Sequence, residues 1–188
     1  LLSDSQVRML APDFTNPYAQ EWTAAYERKL ADFWTASATF THVLSVKEHM
    51  AVEGNPRPVG GGPRVLADDF EAAGVTPLAS NRLFESSNRS RYDALTVMVR
   101  RSFHGDVYWQ ASYVLSRAVT WGGRYASSYN FGRPRVTAES KFAAGEHGPS
   151  AADERHRLGT SALLLLPGGF ELAPIVQAAL RPGDVVLI

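Results

Sequence analysis

Between Trp34 and Thr41 the chain reads WTASATFT. Every second residue from Trp34 is apolar (Trp34, Ala36, Ala38, Phe40), and those between are hydroxylated (Thr35, Ser37, Thr39, Thr41). A period of two belongs to a β-strand and gives its two faces different environments. A soluble sheet with one dry side produces this alternation. So does a membrane barrel with lipid outside and water inside. Which face looks outward therefore decides what kind of protein this is.

Such runs recur in pairs. EWTAAYERKL (21–30) sets Trp22, Ala24 and Tyr26 against Thr23, Ala25 and Glu27, and LADF turns it into the strand above. YDALTVMVRRSF (92–103) sets Leu95, Val97 and Val99 against Ala94, Thr96, Met98 and Arg100. HGD turns it into VYWQASYVLSR (107–117), where Trp109, Ala111, Tyr113 and Leu115 oppose Gln110, Ser112 and Ser116. The last pair is RLGTSALLLL (157–166) and FELAPIVQAA (170–179), joined at PGG. Gly, Asp and Pro at these junctions supply the dihedrals that short hairpins need.

The links between pairs are long, from about 45 to 90 and from about 119 to 154. The first holds GNPRPVGGGPR and reads as a mobile external loop, with DDFEAAG (68–74) able to form one helical turn. The second holds TWGGRYASSYNFGRPR. Tight turns alternating with loops longer than ~15 residues match outer-membrane barrels, which have short periplasmic turns and long external loops. Phe33, Trp34, Phe103, Tyr108, Trp109 and Phe170 all flank the tight turns, as an interfacial girdle would. The apolar faces, rich in Ala, suit lipid better than a jigsaw core, and the hydroxyl faces suit a wet lumen. We read apolar as outward. Arg101 falls on the Leu95–Val97–Val99 face; mid-membrane it would cost ~2–4 kcal/mol, but beside a turn it snorkels at ~0–1.

Lys plus Arg equal Asp plus Glu at 19 each, which argues against nucleic acid as a partner, because phosphate binding needs a basic excess. Cysteine is absent, so disulfides and thiolate metal sites are excluded. No apolar run nears the ~18 residues of a membrane helix; ALLLLP (162–167) is the longest. The opening LLSDSQVRML is not a signal peptide, and both it and the closing DVVLI read as cut ends, so a piece of a longer protein is expected.

Four stretches, in order, resemble the barrel of TonB-dependent outer-membrane receptors of the Oar-like, carboxypeptidase-regulatory-like-domain type. They are APDFTNPYAQEWTAAYERKL (11–30), FESSNRSRYDALTVMVRRSF (84–103), WQASYVLSRAV (109–119) and GPSAADERHRLGTSALLLLPGGF (148–170). In the last, Asp153, Arg155, His156 and Arg157 stand at that family's acidic–basic–His–Arg strand entry. Leu158, where the family favours an aromatic, and Pro174, which removes a ladder donor so that its strand should bend, bulge or pair poorly, depart from the pattern. The resemblance implies about six strands of a larger, plugged barrel, with the plug domain outside this chain. It also implies outer-membrane lipid, an inner-membrane TonB complex and an unidentified ligand as partners, in the outer membrane of a Gram-negative bacterium.

DERHR (153–157) is the densest charged group; it reads as an ion-paired, hydrated strand entry at the outer rim rather than a metal or acid–base site. No G-x-S-x-G and no phosphate loop occur, and no catalytic, cofactor-binding or metal-ligating residue is assigned. Ligand-contacting residues stay unassigned. The expectation is an all-β, antiparallel transmembrane barrel segment that acts as a receptor or transporter wall and not as an enzyme. The rivals are a soluble up-and-down barrel holding a small apolar ligand, lipocalin-like, and an outer-membrane adhesin or structural barrel.

Overall fold

The computed structural model describes residues 6–58, 61–74, 80–121, 137–150 and 153–181. The strands are β1 (Gln6–Leu10), β2 (Tyr18–Ala31), β3 (Trp34–Glu53), β4 (Ser80–His104), β5 (Val107–Thr120), β6 (Gly148–Pro149), β7 (His156–Leu166), β8 (Phe170–Leu172) and β9 (Ile175–Leu180). One six-residue helix, α1 (Ala67–Ala72), and one 3-10 turn (Ala144–Glu146) lie in the links. The strands form a single sheet in the order β2-β3-β4-β5-β7-β8, with β9 also on β7, β1 on β4 and β6 on β5. The all-β sheet of consecutive hairpins is the architecture the alternation calls for.

The turns form where the sequence places them. Gly105 adopts φ 63 between β4 and β5, and Gly168 and Gly169 adopt φ 84 and 81 between β7 and β8, a conformation that favours glycine. Pro174 breaks the assigned strand between β8 and β9 but does not shift it. Leu164 pairs with Leu172 and Ser161 with Ile175 in one continuous antiparallel register, and Ala162 N–H donates to the Pro174 carbonyl at 3.1 Å. The ladder loses the one bond that proline cannot return, and there is neither bulge nor slip.

Two strands run well past the limits that alternation suggests. β3 continues to Glu53 and β4 starts at Ser80, so the first link covers 54–79 rather than 45–90. At 20 and 25 residues they exceed the ~9–11 that cross a bilayer, so each contributes residues beyond a membrane band. Within β3, Lys47 sits at φ 57, rare for a lysine and a local break in the alternation. Most of TWGGRYASSYNFGRPR and all of DVVLI fall outside the described residues.

The chain divides into two compact units. Unit 1 comprises 1–19, 45–90 and 120–148; unit 2 comprises 20–44, 91–119 and 149–188. In unit 1, β1 lies parallel to β4, Gln6 opposite Ser80 and Leu10 opposite Phe84, a pairing that an all-antiparallel reading does not contain. The segment after β1 is fastened too: Ser86 Oγ donates to the Thr15 carbonyl at 2.7 Å, and Phe14 stacks on His49 at 4.4 Å. A small core forms where Met50 and Val52 are buried against Leu83. In unit 2, β5 pairs antiparallel with β7 from Val107–Leu164 to Leu115–His156, which fixes the faces of both strands.

Candidate functional site

In unit 2 the apolar face is the more exposed one. Phe40 is 47 % exposed, Leu95 42 %, Val97 41 % and Leu115 42 %, while Ala94 and Ser116 on the opposite face are 5 % and 6 %. Thr96, Met98, Gln110 and Ser112 on that opposite face are half-buried. A water-soluble sheet arranges its faces the other way round. Apolar residues at this exposure are at home against lipid.

The apolar band has two polar or aromatic borders. At the tight-turn end Trp34 meets Trp109 edge-on at 5.8 Å, Phe103 lies 5.7 Å from Tyr108, and Phe33 stacks on His104 at 3.9 Å. The girdle residues called from sequence are thus brought together, Phe170 apart, whose ring is exposed beside Gly168. At the other border His42 and Arg91 both reach Asp93, at 2.6 and 2.9 Å, and Tyr113 OH meets His156 Nδ1 at 2.6 Å. Trp34 to His42, Trp109 to Arg117 and Asp93 to Arg101 are each eight residues apart. Eight residues span ~26 Å along a strand, or ~20 Å of height at a ~40° tilt, close to the ~25 Å apolar band of a membrane barrel.

The opposite face of unit 2 carries a shallow cavity of about 260 Å³ lined by Met98, Gln110, Ser112, Gly159, Ser161 and Gln177. Tyr108 donates its hydroxyl to Gln110 Oε1 at 2.8 Å and so fixes that amide. A Cβ on Gly159 would come within 3.3 Å of Ser112 Oγ, so glycine keeps this wall smooth. The surface offers hydroxyls and amides beside the apolar side chains of Met98 and Ile175, and no charged group. Its chemistry is that of a wetted wall which exchanges hydrogen bonds with water and polar solutes.

The DERHR stretch spends its charges on itself and on β5. Asp153 is buried, accepts Ala118 N–H at 2.8 Å and pairs with Arg155 at 3.1 Å, so its setting is enclosed rather than hydrated. Glu154 pairs with Arg157 and, at 3.7 Å, with Arg181, while its backbone carbonyl accepts from Ser116 Oγ at 2.6 Å. His156 turns to Tyr113. Among the described residues no group of three or more His, Cys, Asp or Glu side chains could hold a metal ion. The stretch locks the start of β7 to β5.

Unit 1 holds the polar residues that sequence reading passed over as loop. Glu53 Oε1 accepts the backbone N–H of Asn55 at 3.0 Å and of Asn81 at 2.9 Å. Asn55, fully buried, accepts Leu66 N–H on its side chain at 3.0 Å, and Arg64 donates to its carbonyl at 2.5 Å. The base of GNPRPVGGGPR is therefore anchored, which departs from a wholly mobile loop. Arg82 is buried beside this knot; burial first, then repulsion from Arg8, lowers its pKa, and Glu53 opposes the shift. Further along, Lys141 pairs with Glu85 at 2.5 Å and also reaches Ser87 at 3.3 Å. Arg89 lies over Trp121 at 5.1 Å and Phe142 at 5.3 Å. These last contacts join residues 32 to 56 apart, so spacing gave no sign of them; the only local signal was a run of polar residues between Ser80 and Arg91.

A family model described as an outer membrane beta barrel domain matches residues 2–180. No curated protein and no solved structure matches the chain.

Proposed function

The chain belongs to the outer membrane beta barrel domain family, and from that premise we propose that it forms part of the wall of a TonB-dependent, Oar-like receptor that takes up an external ligand across a Gram-negative outer membrane. The observation that carries the reading is the inverted sheet of unit 2, apolar on the exposed face and hydroxyl-rich on the sheltered one. That pattern favours a membrane wall over a soluble ligand-binding barrel. The finer assignment is supported by the four ordered stretches of resemblance, and by strands of 20 and 25 residues, longer than a bilayer needs.

The sheet path ends at β2 and at β8 and β9, with no pairing between these ends among the described residues. Lipid does not tolerate open strand edges, so further strands of a larger barrel would complete the wall. The wall acts by binding and guiding solute rather than by chemistry, because the densest charged stretch is consumed by its own ion pairs. Energy would come from the inner-membrane TonB complex through a plug domain.

Uptake tests this. Cells carrying and lacking the full-length gene are supplied with labelled candidate nutrients, with and without a protonophore. Accumulation that needs both the gene and the proton-motive force supports the receptor. Gene-dependent accumulation that survives the protonophore makes the barrel a passive pore. Gene-dependent surface attachment without uptake makes it an adhesin.

A further inference from the structure

We propose that the sheltered face of unit 2 holds a subsite for an uncharged sugar ring, centred on Gly159. Two rows of residues cross three neighbouring strands on this face. Ser112 on β5 lies opposite Gly159 on β7, and Gly159 lies opposite Gln177 on β9. Beside that row, Gln110 lies opposite Ser161, and Ser161 opposite Ile175. Both rows line the cavity of about 260 Å³. They stand two residues apart, so the patch measures roughly 7 Å along the strands and roughly 10 Å across them, the footprint of one hexose ring.

Gly159 is the residue that points to a ligand. It stands inside β7, away from the turn, and its φ lies outside the left-handed region, so the backbone there does not call for glycine. Glycine weakens a strand interior and marks a place where a ligand or another backbone approaches closely. Here it opens the middle of a row that ends in a hydroxyl and an amide. The side chains of Ser112, Ser161 and Gln177 make no hydrogen bond among the described residues. The Gln110 amide oxygen accepts from Tyr108, which leaves both of its N–H donors available. Free donors and acceptors therefore ring an opening that also presents Met98 and Ile175. A sugar ring divides in the same way, with hydroxyls round its rim and C–H groups on its faces. No charged side chain lines the cavity, so an ionic group would leave water and meet no counter-charge. The inference deepens the proposed uptake by naming its substrate class, and it rests on that reading's assignment of this face to the lumen.

The test is isothermal titration of the purified full-length protein, in a detergent without a sugar head, with maltohexaose, cellohexaose and hexagalacturonate. Wild type should bind at least one of the neutral pair, about tenfold more tightly than the acid. Gly159→Val fills the notch and should weaken that binding about tenfold, and Ser112→Ala should weaken it roughly threefold. Ser37→Ala, on the hydroxyl face of β3 but outside the cavity, should leave it unchanged. Heat-dependent gel mobility verifies that each variant is folded. Binding needs no proton-motive force, so energised uptake without sugar binding would sink this inference alone and leave the receptor standing. Failure of wild type to bind either neutral sugar, equal or tighter binding of the acid, or undiminished binding by folded Gly159→Val overturns the proposal.

Discussion

His42 and Asp93, 51 residues apart in the chain, face each other at 2.6 Å on the side of the sheet that carries Phe40 and Leu95. A carboxylate can only accept, so His42 donates from Nδ1. Two residues nearer the turn on each strand, that face becomes apolar. The contact therefore marks where lipid tails give way to headgroups and water. With Asp93 about a third exposed and Arg91 beside it, Asp93→Ala should cost only about 1 kcal/mol or less. The urea midpoint for folding into lipid vesicles reads this; a loss of several kcal/mol would put the triad deep in the membrane instead.

Four residues along β4 the answer should change sharply. Val97→Arg puts a cation in the middle of the apolar face and should destabilise the vesicle-folded protein by ~2–4 kcal/mol. Thr96→Arg, one residue away on the sheltered face, should cost less than about 1 kcal/mol. The same urea titration compares the two. Similar penalties would mean that the faces are not lipid and lumen.

Pro174 offers a gain rather than a loss. Because Ala162 N–H already donates to its carbonyl, residue 174 is in a hydrogen-bonded pair, and Pro174→Val should return the missing N–H. About 0.5–1.5 kcal/mol of stability and slow exchange of the new amide are expected. Fast exchange at 174 would show that the strand end does not hold its register.

How far the sequence reveals this fold depends on how many environments a residue meets. From Trp34 to Phe40 and from Leu95 to Val99 one face meets lipid and the other water, and alternation shows the strands at once. The same logic placed the aromatic girdle, the tight turns at Gly105 and Gly168, and the missing bond at Pro174. Beyond the band, β3 is buried on both faces at Met50, Ala51 and Val52 and β4 is polar on both from Glu85 to Arg91, Lys47 breaks the alternation, and the strands vanish into what looks like loop. β1 escaped for a related reason: five residues pairing in parallel with β4 carry too short a pattern to recognise. The knot at Glu53, Asn55 and Asn81 depends on tertiary placement, which no local spacing encodes.

Glu85 and Lys141 illustrate that last class. Their side chains are mostly buried, at 14 % and 17 % exposure, so Glu85→Ala would leave an ammonium enclosed without its carboxylate. We expect the segment around Lys141 to open, with limited proteolysis at 137–147 several times faster than in wild type. Lys141→Met, which removes the charge and keeps the stem, should be milder. Equal cleavage in all three proteins would mean that the pair does not hold this link.

Glu139 gives a pH signature. The Thr137 hydroxyl, then a backbone N–H, hydrogen-bonds its carboxylate and lowers its pKa. A lowered folded pKa means that this contribution is present above the ordinary carboxylate pKa and fades as the pH falls through the folded value. Thr137→Ala should move the Glu139 titration upward, read from its carboxyl carbon shift. An unmoved titration would remove the hydroxyl as the cause.

The most direct measurement of the central claim uses the chain's lack of cysteine. Single cysteines at 95, 96, 97 and 98 in the full-length protein, spin-labelled in lipid vesicles, report collision with oxygen dissolved in the bilayer and with a water-soluble nickel chelate. Positions 95 and 97 should favour oxygen, and 96 and 98 the chelate. The reverse pattern, or four labels that behave alike, would contradict an outward-facing apolar wall.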